Sequence, residues 1–251
     1  MPHTEHILPG GRYAVVSCHV ERPLDDETWS RFSTLQQRPP GRFRIAALMR
    51  PPDREAGENE ILWLGRASAA AERGPLGLHT HWTAPDHARP TTGDPAVRVR
   101  EQVEWLRARG LEVHFFCGGG WYMDEPVAEV LAAAGLSDCT ATAFRPRYLD
   151  HGAARLAARE PCVVELASGR RLLELPTTHT IGMLARGVFA PFRGRVVHAY
   201  FHDTDLLDTR RAALLSLGLR FLGMKRTRTD LDELCAASGL AVRPFRELAA
   251  A

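Results

Sequence analysis

Leu78-His79-Thr80-His81-Trp82-Thr83, directly after Gly74-Pro75-Leu76-Gly77, is the stretch on which the fold turns. It reads as the end of a short apolar strand carrying imidazoles two positions apart. Residues i and i+2 of a strand face the same side, so both rings can reach one metal ion or one substrate. Parallel (β/α) proteins keep their chemistry at strand ends of this kind. Far downstream, Tyr200-Phe201-His202-Asp203-Thr204-Asp205 closes another apolar run with an imidazole and carboxylates. Two polar clusters at strand ends point to one shared mouth.

Outward from these clusters, strand-length apolar runs alternate with helix-length amphipathic stretches. Tyr13 to Ser17 is rich in strand formers and leads to Cys18-His19-Val20-Glu21, and Asp25 to Gln37 reads as a helix opened by acidic residues. Arg44 to Met49 is a second strand, Glu58 to Arg73 a helix, and the strand ending at His79 comes third. Ala84 to Ala96 holds three prolines and few large apolar residues, which predicts a lid or binding loop over the histidines. Val97 to Arg109 is helical with Gly110 as its stop, Leu111 to Phe116 a strand, and Asp124 to Ala134 a helix followed by Gly135. Further strands are expected at Cys162 to Leu166, Arg171 to Leu175 and Arg195 to Phe201, with helices at Leu207 to Leu219 and Asp230 to Gly239. Such alternation predicts an α/β fold of barrel type in a single domain spanning residues 1–251. No glycine fingerprint opens a helix after the first strand, which argues against a Rossmann fold. Gly118-Gly119-Gly120 follows a strand but is not followed by Lys-Ser/Thr, so it reads as a tight turn more readily than as a phosphate cradle.

Composition narrows the function classes. The formal net charge of +2 comes from 32 basic and 30 acidic residues mixed along the chain, so no nucleic-acid or membrane partner is expected. No apolar run approaches ~18 residues and the N-terminus lacks an export-signal pattern, which predicts a soluble, cytoplasmic protein. Cys18, Cys117, Cys139, Cys162 and Cys235 form no Cys-x-x-Cys pair, and reduced thiols are expected.

Taken in order, the strand ending in His19-Val20-Glu21, Gly77-Leu78-His79-Thr80-His81, Phe115-Phe116-Cys117-Gly118-Gly119-Gly120-Trp121 and Tyr200-Phe201-His202-Asp203 resemble the polysaccharide deacetylase family, or NodB-homology domain. The resemblance runs from about Tyr13 to Leu222 and rests on motif order more than on any one motif. It implies a distorted (β/α) barrel, typically seven-stranded, and a hydrolase that removes acetyl groups from sugars with a divalent metal, commonly zinc. His202, with Asp203, would be the acid that protonates the leaving group, or the two form a structural pair at the strand end.

The chain departs from the family at three positions. His19 stands where an aspartate base is expected, Thr83 where the second metal histidine is expected, and Cys117 where an arginine is usual. His81, or His87 in the loop, would replace the missing histidine. His19, His79 and His81 then form a three-histidine zinc set of the kind that lowers the pKa of bound water to about 7. Glu21, on the same strand face as His19, would be the base or would orient a metal-binding ring by a hydrogen bond. Trp82, Trp121 and Tyr122 would either stack against a sugar or fill the barrel mouth. These readings predict removal of an acyl group from a small sugar or amide-bearing metabolite by metal-activated water. The alternative is a fold-retaining member without deacetylase activity, acting as a binding protein or a metal-free biosynthetic enzyme.

Overall fold

The computed structural model describes residues 11–145, 153–187 and 192–250. The strands are β1 Tyr13–Val20, β2 Ala46–Met49, β3 Leu76–Thr80, β4 Phe115–Gly118, β5 Ser137–Asp138, β6 Arg155–Leu156, β7 Cys162–Glu165, β8 Arg171–Glu174, β9 Val196–His202, β10 Thr227–Arg228, β11 Ala241–Pro244 and β12 Ala249–Ala250. The helices are α1 Asp26–Gln37, α2 Glu60–Ala71, α3 Pro95–Arg107, α4 Glu125–Ala134, α5 Ile181–Gly187, α6 Thr209–Lys225, α7 Leu231–Cys235 and α8 Phe245–Leu248. The result is a mixed α/β fold with a mostly parallel sheet, the class read from the sequence.

β1 to β5 pair in parallel in chain order, and β9 pairs along nearly the whole of β1. Beyond β8 the chain donates from Leu175 and Thr177 to the carbonyls of Asp138 and Ala141, and from Thr178 and His179 to that of His198. The segment 175–179 therefore carries backbone hydrogen bonding from the end of β5 to β9. β7 and β8 depart from the expected alternation, because they form an antiparallel hairpin. The five residues between them are too few for a crossover helix, and Gly169 supplies the positive φ of 81° the turn needs.

Helix starts follow the side-chain caps. Asp25, Asn59, Asp94, Asp124, Asp208 and Asp230 each accept backbone N–H groups in the first turn of the helix that follows. These caps set α2 and α4 at Glu60 and Glu125, later than the pattern alone suggested, and α3 at Pro95, earlier than Val97. α6 begins at Thr209 and runs on to Lys225, past the expected end at Leu219. α7 stops at Cys235, short of Gly239, and β4 begins only at Phe115.

Strand alternation sorts the side chains into two layers. Ala14, Val16, Cys18 and Val20 of β1, with Leu78, Phe116, Val197, Ala199 and Phe201, pack in a large core with helix residues such as Phe32, Trp63, Val103, Leu131 and Leu219. The opposite parity holds a smaller core of Val15, Leu48, Phe115, Cys117, Cys139, Leu175 and Val196. Ser17, His19, His79, His198, Tyr200 and His202 share that parity. No helix among the described residues is long and apolar enough to cross a membrane. The five cysteines are unpaired, and four of them are buried.

Candidate active site

Register builds the site. His19 pairs with His202 across β1 and β9, and His79 pairs with Cys117 across β3 and β4. One row of inward positions at the C-terminal ends of four strands thus carries three imidazoles and a thiol. Glu21 and His81 extend the same parity one step beyond the strands. The Glu21 Oε1 lies 3.7 Å from His79 Nε2, 3.5 Å from His81 Nε2 and 3.5 Å from His202 Nε2. A single carboxylate oxygen is the hub of three rings. His19 does not join that hub. Its Nε2 is 3.5 Å from the Cys117 Sγ, and its ring stacks on His79 with centroids 4.4 Å apart.

The histidines read from the sequence as one set therefore divide. Among the described residues, His79 and His81 group with Glu21, whereas His19 groups with His79 and Cys117. His87 is not in either group, although it lines the adjoining cavity. The i+2 spacing placed Glu21 on the strand face of His19, but its grouping with His79 and His81, like that of Cys117 with His19, depended on a strand register that one sequence does not reveal.

Proton positions make the hub unusual. The Nδ1 atoms of His79 and His81 lie 3.1 Å from the Cys117 carbonyl and 2.6 Å from the Pro85 carbonyl. A carbonyl only accepts, so each Nδ1 carries a proton and each Nε2 is the ring atom turned toward Glu21. Both Nε2 atoms are buried and make no hydrogen bond. Burial pushes His79 down to about 4, despite the opposing carboxylate, so its ring is neutral at pH 7. Burial also holds His19 well below the usual imidazole value, helped by His79 and His202. Lone pairs facing an anion repel unless a cation lies between them. His198 shows the contrast: its Nε2 meets the Ser17 hydroxyl at 2.8 Å and its Nδ1 the Leu175 carbonyl at 3.1 Å, so both ring atoms are satisfied.

His202 has a different environment. Burial works against its imidazolium, yet Asp205 and the charges of Glu21 and Asp203 outweigh burial and raise its pKa. Asp205 accepts the His202 backbone N–H at 2.9 Å and pairs with Arg211 at 2.8 Å. Asp205 caps the turn at 203–206, and it also faces the His202 ring at 3.8 Å. Asp203 points away, accepting the Arg22 N–H at 2.8 Å, and burial raises it to about 6.

A cavity of about 290 Å³ opens on His19, Glu21, His79, His202 and Trp121, and residues 86–89 supply another wall. Of the three aromatic residues read as a stacking floor, only Trp121 lines it. Trp82 is buried and donates its indole N–H to the Gly119 carbonyl at 2.9 Å, and the Tyr122 hydroxyl donates to Asp124 at 2.6 Å. Tyr200, not singled out from the sequence, packs edge-on against Trp121 with centroids 4.9 Å apart and lies 5.0 Å from His19. Trp121 has φ of +62°, a strained conformation for a bulky residue that the surrounding packing must hold.

Fold and site together define an α/β protein with imidazoles gathered around one carboxylate at the C-terminal end of a mostly parallel sheet. No family model and no curated protein sequence matches the chain. Among solved structures, the chain is similar in fold to a 4-alpha-glucanotransferase from Thermococcus litoralis, at 11% identity and a TM-score of 0.59 over 93% of this chain. The chain spans 42% of that protein's length. A peptidoglycan N-acetylglucosamine deacetylase catalytic domain from Eubacterium rectale aligns over 96% of this chain and 97% of its own, at 10% identity and a TM-score of 0.47. A family 4 carbohydrate esterase from Streptomyces lividans aligns over 93% and 98%, at 14% identity and a TM-score of 0.48.

Proposed function

We propose that the protein is a metal-dependent hydrolase of the carbohydrate-deacetylase type, removing an acyl group from an acylated sugar or similar amide-bearing metabolite. The observation that carries this reading is the pair of buried, unpartnered Nε2 atoms of His79 and His81 aimed at Glu21. Two imidazoles and a carboxylate suit zinc or a related divalent ion. Glu21, His79 and His81 would hold it, and the backbone carbonyls on their Nδ1 atoms would orient the rings. When bound, such an ion supplies Lewis-acid polarisation of the acyl carbonyl and makes water more acidic.

The other groups divide the proton work. His202, with its raised pKa, stands ready to donate to the departing nitrogen or oxygen. Asp205 holds that ring's position and favours its charged form. His19, neutral and lining the same cavity, takes the place of the missing aspartate as acceptor of the nucleophile's proton. Trp121 gives the acyl and sugar carbons an apolar wall.

The test combines metal analysis of the purified protein with acetate release from N-acetylated amino sugars. One divalent ion per chain, lost in His79→Ala with the fold intact, and chelator-sensitive acetate release are expected. A protein that takes up no divalent ion and releases no acyl group would not fit the proposal.

A further inference from the structure

The wall formed by residues 86–89 says what size of substrate the cavity admits. Thr83 occupies the position where the resembled family has a second histidine, and here its hydroxyl is a clamp. It donates to the Arg89 carbonyl at 2.8 Å and accepts from the Thr91 N–H at 3.1 Å, with the Thr91 hydroxyl also at 2.8 Å. Two backbone bonds reinforce it: Thr83 N–H to the His87 carbonyl at 3.3 Å and His87 N–H to the Ala84 carbonyl at 2.9 Å. The loop that the sequence marked as a lid is thus folded back upon Thr83, the residue just before it.

The clamped loop rests on the Gly118–Gly120 turn, and the glycines are what let it do so. A Cβ on Gly119 would lie 2.6 Å from the Ala88 carbonyl oxygen, and one on Gly120 would collide with the Arg89 side chain. Gly120 also needs its φ of +61°. Loop and turn therefore meet without an intervening side chain, and that flank of the cavity is walled. Another wall is Trp121, buried and braced by Tyr200 and Phe144. What lies between is about 290 Å³, at the lower end of the several-hundred-Å³ range of small-molecule pockets. A polymer crossing the site would need an open path on both flanks of the reacting unit.

We propose that the site accepts one acylated unit, either a free small molecule or the terminal residue of a chain, and rejects internal residues of a polymer. The proposal rests on the hydrolase reading for its chemistry, but the clamp and the wall stand independently of it.

Two measurements keep the two apart. The first compares N-acetylglucosamine with its tetramer, both by acetate release and by calorimetric binding to the same protein. Release at least tenfold faster per acetyl group from the monomer, or confined to the tetramer's end unit, supports the proposal. So does binding of the tetramer no tighter than the monomer. Internal deacetylation at an equal rate, or tetramer binding tenfold tighter, overturns it, and binding of neither sugar does so too. Size-selective binding without acetate release would sink the hydrolase reading and leave the size inference standing. The second measurement is hydrogen exchange at the Thr83, His87 and Thr91 amides. Protection in the wild-type protein that is lost in Thr83→Val, with the tetramer-to-monomer binding ratio rising severalfold, is expected. Exchange at the rate of an open loop in the wild-type protein would show that the wall is not fixed, and the proposal would fall.

Discussion

Glu21 with its three imidazoles and Asp138 with Glu174 are both buried sets of ionisable groups, yet they are out of balance in opposite senses. Around Glu21, two buried imidazole Nε2 atoms without a hydrogen bond face one carboxylate, and the set opens onto a cavity. Asp138 and Glu174 pair across β5 and β8 with no exposure, and three of their four oxygens have no donor. Burial raises both carboxyls, and the charge of Asp138 raises Glu174 further, so Glu174 holds its proton well above the usual carboxylate range. The two sets are joined: the Asp138 carboxylate accepts from the Thr140 hydroxyl at 2.6 Å, which accepts the Gly118 N–H at 2.8 Å beside the cavity. A closed set of acids is settled by a proton. An open set of imidazoles around an anion calls for a cation that can arrive from solvent.

The sharpest way to break this comparison is to alter the hub. Glu21→Gln keeps the shape and removes the charge, and it is expected to abolish stoichiometric metal binding and acyl release together. His202→Ala is expected to retain the metal while lowering turnover by about 10²–10⁴, the usual worth of a positioned general acid. Metal content and turnover measured on both variants separate holding from proton donation; metal retained at full occupancy in Glu21→Gln would remove the hub from the site.

The acid pair predicts a pH dependence of stability. Below the ordinary Glu174 value of 4.5, folded and unfolded chains both carry the proton. Above it the unfolded chain releases the proton and the fold keeps it, because the folded pKa is raised. Stability conferred by this proton therefore falls with rising pH, by up to about 1.4 kcal/mol per pH unit, until the folded pKa is passed. Glu174→Gln is expected to flatten that part of the curve between pH 5 and 8 in urea titrations and to leave metal content unchanged. An unchanged slope would mean that the pair is not protonated in the fold.

A milder change sharpens the role of Asp205. Replacing it with Asn removes the charge that sustains the His202 imidazolium, so the alkaline limb of the pH–rate profile should move to lower pH. The loss of turnover should be small near pH 6 and larger near pH 8. A uniform loss at every pH would instead indicate a role confined to holding the turn at 203–206.

How much of this was legible in the sequence varies with the range of the interaction. Local signals served well: Asp25, Asp124 and Asp230 marked helix starts, and the i+2 spacing put His79 with His81 and His19 with Glu21 on common faces. The parallel α/β character followed from alternation. What failed to show was register. His19 lies beside His202 and Cys117 beside His79 only because β1 pairs with β9 and β3 with β4 as they do. Without that, His19, His79 and His81 read as one set, whereas the structure groups His79 and His81 with Glu21 and His19 with Cys117. Trp82 was indistinguishable from Trp121 in sequence; a bond to Gly119 turns it into the core.

The smallest expected effect tests whether the site is insulated from the helical layer. Gly135 ends α4 in the left-handed region at φ 72°, and nothing lies within 4 Å of where its Cβ would be. Gly135→Ala meets no steric obstacle, so its cost is that of the backbone conformation alone, about 1 kcal/mol. That loss should appear in the urea midpoint with an unaltered slope. Because the packed helix face of Val127, Ala128 and Leu131 lies on the outer parity and Glu21 on the inner, metal content and turnover should not change. A fall in either would mean that the outer layer sets the spacing of the strand ends, and the hub would then depend on helix packing as well as on register.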